Sequence, residues 1–125
     1  MATESPLILV VDDQLGVRRL VQEVFREVGY QVSSAANGQE ALALVGVQTP
    51  ALVLLDMKMP VMDGLETLRV LKSLHPALPV FMMTAVGDGD RVSEAMQSGA
   101  EQCINKPFDV FDLRKRVAEA LATGP

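Results

Sequence analysis

The sequence predicts a three-layer α/β fold built on a parallel sheet, with helices covering both faces. Three observations predict it. Five short apolar runs alternate with segments of helical apolar period along the 125 residues. Most of the runs are continuously apolar, as strands buried on both faces are, rather than alternating as half-exposed strands do. Four of the five end on polar residues at their C-terminal side, which is where open α/β sheets place their ligands.

Each element has a local reason. LILVV over 7–11 is the first strand. Across 14–28 the apolar residues Val17, Leu20, Val21, Val24, Phe25 and Val28 recur at helical spacing, and Gly29 stops the helix. YQVSSA over 30–35 is half polar and belongs near a sheet edge. Asn37-Gly38 opens a second helix that runs to about Val45, and ALVLL over 51–55 is the third strand. Residues 64–73 are helical and end before Pro76. PVFMMT over 79–84 is the fourth strand, followed by a helix over 88–98 that Gly99 stops. EQCIN over 101–105 is a short fifth strand, and Asp109 caps a last helix with Val110, Leu113, Val117 and Leu121 on its inner stripe. Five β–α units joined by right-handed crossovers fit a flavodoxin-like (βα)5 sandwich with strand order 2-1-3-4-5, and residues 1–125 read as a single domain.

Composition narrows the function. The formal net charge of −5 argues against direct nucleic-acid binding, which needs a basic face, and fits a cation or a basic partner surface. With no Trp, one Tyr and four Phe, the core must be filled by Leu, Val, Ala and Met. The single cysteine, Cys103, allows no intrachain disulfide and reads as cytoplasmic. MATESPLILVV has no basic segment ahead of its apolar run, so it is not read as a signal peptide. No apolar run approaches the roughly 20 residues that span a bilayer, so no membrane association is expected.

The polar strand ends carry the chemistry. Strand one ends in Asp12-Asp13, strand three in Asp56, strand four in Thr84-Ala85 and strand five in Asn105-Lys106-Pro107. In the 2-1-3-4-5 order these ends meet at one edge of the sheet. Two carboxylates about 5 Å apart repel by roughly 3 kcal/mol at an effective dielectric near 20. Three would raise one another's pKa values unless a cation sits among them. A hard divalent ion with oxygen ligands resolves this, and Mg²⁺ also accepts a phosphoryl oxygen. Metal, Lys106, the Thr84 hydroxyl and a carboxylate nucleophile, Asp56, make a phosphoryl-transfer site.

VVDDQLGVRRL over 10–20, LVLLDMKMPVMDG over 52–64, MTAVG over 83–87 and NKPF over 105–108 together resemble the receiver domain of bacterial two-component response regulators. Within that family the first two motifs most resemble stand-alone phosphorelay members. The resemblance implies that Asp56 accepts a phosphoryl group from a phosphohistidine. It implies that Asp13, the Asp56 side chain and the Lys58 backbone carbonyl ligate Mg²⁺ (or Mn²⁺ in its place), with Asp12 acting largely through water. It further implies that Thr84 moves to bond the phosphoryl oxygen, that Lys106 pairs with the phosphoryl group, and that the Lys106–Pro107 peptide is cis. Many receivers carry an aromatic switch residue three positions before this lysine; here that position is Cys103.

The partners implied are a sensor histidine kinase or a histidine phosphotransferase. Gln14, Leu15, Gly16, Val17, Arg18 and Leu20 would form the docking face, with Pro60, Val86, Gly87, Pro107 and Phe108 as its rim. The role implied is a stand-alone phosphotransfer intermediate, monomeric with at most a weak dimer on phosphorylation. The alternative is the receiver of a longer regulator. In either role the resemblance implies a signalling phosphoacceptor with autophosphorylation and slow autodephosphorylation, not a metabolic enzyme. A flavin redox role fails because DDQLG would repel the cofactor phosphate. An aspartate-nucleophile phosphatase would want an acid–base Asp where Lys58 stands. Blander roles are expected elsewhere: a solvated Lys58 side chain (placed, even so, to influence how water reaches the acyl phosphate), Cys103 as a small core residue, an exposed His75 in a loop, and Arg114, Lys115 and Arg116 on a solvated helix face.

Overall fold

The computed structural model describes residues 5–122. Strands and helices alternate strictly: β1 (Leu7–Val11), α1 (Leu15–Glu27), β2 (Gln31–Ala35), α2 (Gly38–Val47), β3 (Leu52–Asp56), α3 (Gly64–Leu74), β4 (Val80–Thr84), α4 (Gly89–Gln97), β5 (Gln102–Asn105) and α5 (Val110–Ala122). The strands form one sheet in the order β2-β1-β3-β4-β5, and every pairing is parallel. The half-polar β2 lies at an edge, and β3, buried at all five positions, lies at the centre.

The two faces of the sheet follow from side-chain alternation. Leu9, Val11, Val53, Leu55, Val80 and Met82 point to one side and pack with Ala41 and Val45 of α2, Leu65, Leu68 and Leu71 of α3, and Ala95 of α4. Ile8, Val10, Leu52, Leu54, Phe81 and Met83 point to the other and pack with Val21, Val24 and Phe25 of α1 and Leu113 and Val117 of α5. Each such side chain, fully buried, contributes about 1.5–3 kcal/mol relative to exposure. The methionines Met57, Met82 and Met83 are core residues, filling volume that a chain poor in aromatics must fill otherwise.

Helix ends follow their local signals. The Asn37 side chain accepts from Glu40 N–H at 2.9 Å, while Ala36 N–H donates to the Glu40 carboxylate at 3.1 Å, a reciprocal cap on α2. Asp109 Oδ1 accepts from Phe111 and Asp112 N–H at the start of α5. Gly29 and Gly99 take φ of 98° and 106° just past α1 and α4, a region that favours glycine.

Several expectations need correction. Leu20 and Val28 share the helical period of α1 but are exposed, because the buried stripe narrows to Val21, Val24 and Phe25 where the helix meets the sheet. Gln14 and Val28 are the caps of α1 and lie outside it. The basic run on α5 is not simply solvated. Arg114 donates to Val24 O at 3.2 Å and pairs with Glu27, tying α5 to α1, and Arg116 bonds Asp112 and Gln102. His75 is half-buried as the C-cap of α3, its N–H donating to Leu71 O at 2.7 Å.

Candidate functional site

Strand register brings the acidic residues together. Val11 lies opposite Leu55, and Asp56 lies opposite Met83. Asp12, one residue past β1, therefore sits beside the end of β3, and Thr84 sits one residue past the partner of Asp56. Carboxylate oxygens of Asp12, Asp13 and Asp56 lie within 4.8 Å of one another. Lys106, arriving from the end of β5, donates to Asp12 Oδ2 at 2.6 Å and to Asp56 Oδ1 at 3.1 Å. The Lys106–Pro107 peptide is cis.

One ammonium shared between two carboxylates cannot neutralise three. Burial, and then the charge of Asp12, push the Asp56 pKa from its ordinary 3.8 up to about 6, against the lowering pull of Lys106. Burial works against the Lys106 ammonium, but its bonds to Asp12 and Asp56 outweigh that and raise its pKa. The pocket thus carries a surplus of negative charge on hard oxygen donors, one of them on the exposed Asp13. That donor set fits a divalent cation with oxygen preference and solvent ligands. Asp12 is fully buried, and its Oδ2 is in direct contact with Lys106.

The loops around this pocket are tightly specified. Arg18 reaches back from α1 to donate to the Asp12 carbonyl at 2.6 Å. Met62 N–H donates to Pro60 O at 2.8 Å, and Val61 between them has φ of 72°. This is the rare positive-φ γ-turn, strained for a β-branched residue. Gly64 then passes close to the backbone of β3. Its N–H donates to Met57 O at 2.9 Å, and a Cβ there would collide with Asp56 O and come within 2.8 Å of Met57 Cα. Glycine is required by this close approach.

The Thr84 hydroxyl turns toward β5, donating to Asn105 Oδ1 at 3.1 Å, with Ile104 O at 3.4 Å. Two residues escaped the sequence reading. Asp88 is a buried carboxylate whose Oδ2 accepts from Ala85 N–H at 2.8 Å. Its Oδ1 lies 3.3 Å from Lys58 Nζ, so the Lys58 side chain is paired, not merely solvated. Arg91 of α4 pairs at 2.8 Å with Asp63, which also caps α3 through Glu66 N–H. Burial favours neutral Asp63, yet the Glu66 N–H and Arg91 hold its pKa below the ordinary value. An aspartate beside a helix start is ordinarily a cap, so the sequence held no sign of these cross-loop pairs.

Part of the expected docking face shares one groove. Gln14, Val17, Leu20, Lys106, Pro107 and Phe108 line one groove of about 340 Å³ between α1 and the loop after β5. Leu15, Gly16, Pro60, Val86 and Gly87 are exposed, Val86 almost completely. Cys103 is half-buried, packed at the margin of the core with its Sγ 3.8 Å from Met96 Sδ, and burial raises its pKa.

The family model of the response regulator receiver domain matches residues 8–118. The chain belongs to that family. Receivers are the phosphoacceptor domains of two-component systems and work with histidine kinases or histidine phosphotransferases. This receiver is 46% identical over 114 residues to sporulation initiation phosphotransferase F of Bacillus subtilis, covering 91% of this chain and 92% of the relative. It is 42% identical to the transcriptional regulatory protein ZraR of Klebsiella oxytoca, covering 98% of this chain but only 28% of that longer protein. Among solved structures, the receiver domain of NtrX from Brucella abortus superposes with a TM-score of 0.88 at 36% identity, covering 93% of this chain and 98% of that one. Vibrio cholerae chemotaxis protein CheY4 superposes with a TM-score of 0.86 at 30% identity, with the same coverage. Among the described residues of this receiver, no helix is long and apolar enough to cross a membrane.

Proposed function

We propose that Asp56 accepts a phosphoryl group from a phosphohistidine. The observation that carries this reading is the contact of one ammonium, Lys106, with Asp56 inside a trio of carboxylates at the end of the sheet. In the transfer, an Asp56 oxygen bonds to phosphorus as the bond from phosphorus to the donor imidazole nitrogen breaks, the electron pair leaving with that nitrogen. Lys106 is in place to follow the developing charge. The Thr84 hydroxyl can rotate from Asn105 toward the new oxygens. Asp12, Asp13, Asp56 and the Lys58 carbonyl would hold Mg²⁺, or Mn²⁺ in its place. Such an ion, when bound, offsets charge on the phosphoryl oxygens.

The donor in this reading is a sensor histidine kinase or a histidine phosphotransferase. Its helices would seat on the apolar groove of Val17, Leu20 and Phe108, with Leu15 exposed beside it. We read the role as a stand-alone relay, supported by the match over 92% of sporulation initiation phosphotransferase F. The alternative is the receiver part of a longer regulator, as ZraR illustrates. The remaining parts of the reading are a cytoplasmic, monomeric protein without direct nucleic-acid contact, capable of slow self-phosphorylation and self-hydrolysis. Incubation with acetyl phosphate and Mg²⁺, followed by intact-mass measurement, tests the core of it. One phosphoryl increment is expected on the wild type and none on Asp56→Asn or in excess chelator. An increment that persists in Asp56→Asn would overturn the assignment.

A further inference from the structure

Asp88 is the feature that phosphoryl acceptance leaves unexplained. Its carboxylate is 2% exposed. Oδ2 is satisfied by Ala85 N–H. Oδ1 is the one buried side-chain oxygen among the described residues without a hydrogen-bond donor. A buried acceptor left without a donor is costly, and what faces it is the Lys58 ammonium at 3.3 Å, in ion-pair range but without hydrogen-bond geometry. Lys58 pairs with no other carboxylate among the described residues, and its side chain is 64% exposed.

The placement of both partners gives this pair a consequence. Met57 and Met59 are buried while Lys58 between them, two residues beyond Asp56, is exposed, and its ammonium reaches the carboxylate that holds Ala85 N–H. Ala85, held by Asp88, directly follows Thr84. The pair therefore joins the loop that leaves the acceptor to the turn that follows Thr84. A phosphoryl group on Asp56 would present about two negative charges to the same flexible ammonium that now faces one.

We propose that Asp88 is a positioning residue for the phosphorylated state: by competing for Lys58 it limits how far that ammonium occupies the phosphoryl oxygens, and so sets how fast water removes the group. The inference rests on Asp56 being the acceptor. In the hydrolysis, a water oxygen bonds to phosphorus, the bond from phosphorus to the Asp56 oxygen breaks, the carboxylate returns, and inorganic phosphate leaves with a proton passing to solvent. Lys58 seated on the phosphoryl oxygens obstructs the approach of water. Asp88 draws Lys58 away and shortens the lifetime.

The test is a double-mutant cycle on the full chain, with Mg²⁺ present and acetyl phosphate removed after labelling. Asp88→Asn keeps an acceptor for Ala85 N–H and loses the charge. It is expected to lengthen the phosphoryl lifetime about threefold, the effect of freeing one largely exposed ion pair. In a Lys58→Met background the same substitution should leave the lifetime as Lys58→Met alone sets it, and in a Lys58→Arg background the lengthening should return. A lifetime that is unchanged or shorter in Asp88→Asn, or equal lengthening with Met at position 58, overturns the proposal. A measurement on the wild type guards against a folding defect. The Lys58 Cε resonance should shift when beryllofluoride and Mg²⁺ form the phosphoryl mimic, and a stationary resonance counts against the competition. No adduct on the wild type would instead overturn Asp56 as acceptor, whereas a normal adduct indifferent to Asp88 overturns this inference alone.

Discussion

Replacing Asp56 by Asn is expected to stabilise the metal-free receiver. The side chain is 11% exposed, and its pKa rises from 3.8 to about 6 because burial and Asp12 outweigh Lys106. A carboxyl with a raised folded-state pKa binds its proton more tightly folded than unfolded. Its ionisation therefore costs stability in full above about pH 6, and the cost fades as pH falls from there toward 3.8. The difference of about two pKa units corresponds to about 3 kcal/mol at pH 7 and about half of that at pH 5. Asparagine keeps the shape without the charge and leaves Lys106 to Asp12. Urea unfolding in excess chelator measures this directly. The Asp56→Asn midpoint should exceed the wild type at pH 7, and the gap should narrow at pH 5. Added Mg²⁺ should then stabilise the wild type more than the variant, since a ligand of the folded state stabilises by mass action. A variant no more stable than the wild type at pH 7 in chelator, or a gap indifferent to pH, would refute the charge-surplus account of the pocket.

Further outcomes follow from the same geometry. Lys106→Met removes the counter-ion of fully buried Asp12 and should destabilise the chain by about 3 kcal/mol, read by urea unfolding at pH 7. Val61→Gly relieves a β-branched residue at φ 72° and should raise the unfolding free energy by about 1 kcal/mol. Gly64→Ala drives a methyl into the Asp56 and Met57 backbone and should lower the melting temperature, whereas Gly46→Ala, with open space around it in α2, should raise stability by about 0.5–1 kcal/mol. Leu20→Ser, in the groove between α1 and the loop after β5, should slow transfer from a phosphorylated histidine protein more than it slows labelling by acetyl phosphate.

The elements were legible because their signals are local. An unbroken apolar run such as Leu52–Leu55 must be buried on both faces, and Gly29, Gly99, Asn37 and Asp109 mark helix ends through backbone geometry and capping that involve only near neighbours. The acidic pocket was legible for a related reason. Once strand order is known, residues that follow parallel strands must share an edge, so Asp12, Asp56 and Lys106 were brought together by counting along the chain. Helical period was less informative at margins. Leu20 and Val28 keep the spacing of buried residues yet lie in solvent, because period tells which face is apolar and not how wide a stripe the neighbours cover.

What the linear order determined here is topology, and with it the set of residues that can meet. What only the tertiary structure decided is which charges pair. Lys106 with Asp12 and Asp56, Lys58 with Asp88, and Arg91 with Asp63 join positions from different loops. Ion pairing depends on distances of a few ångströms and on the burial of each partner. No feature of residue spacing along the chain encodes those quantities until the backbone has closed the loops around the end of the sheet.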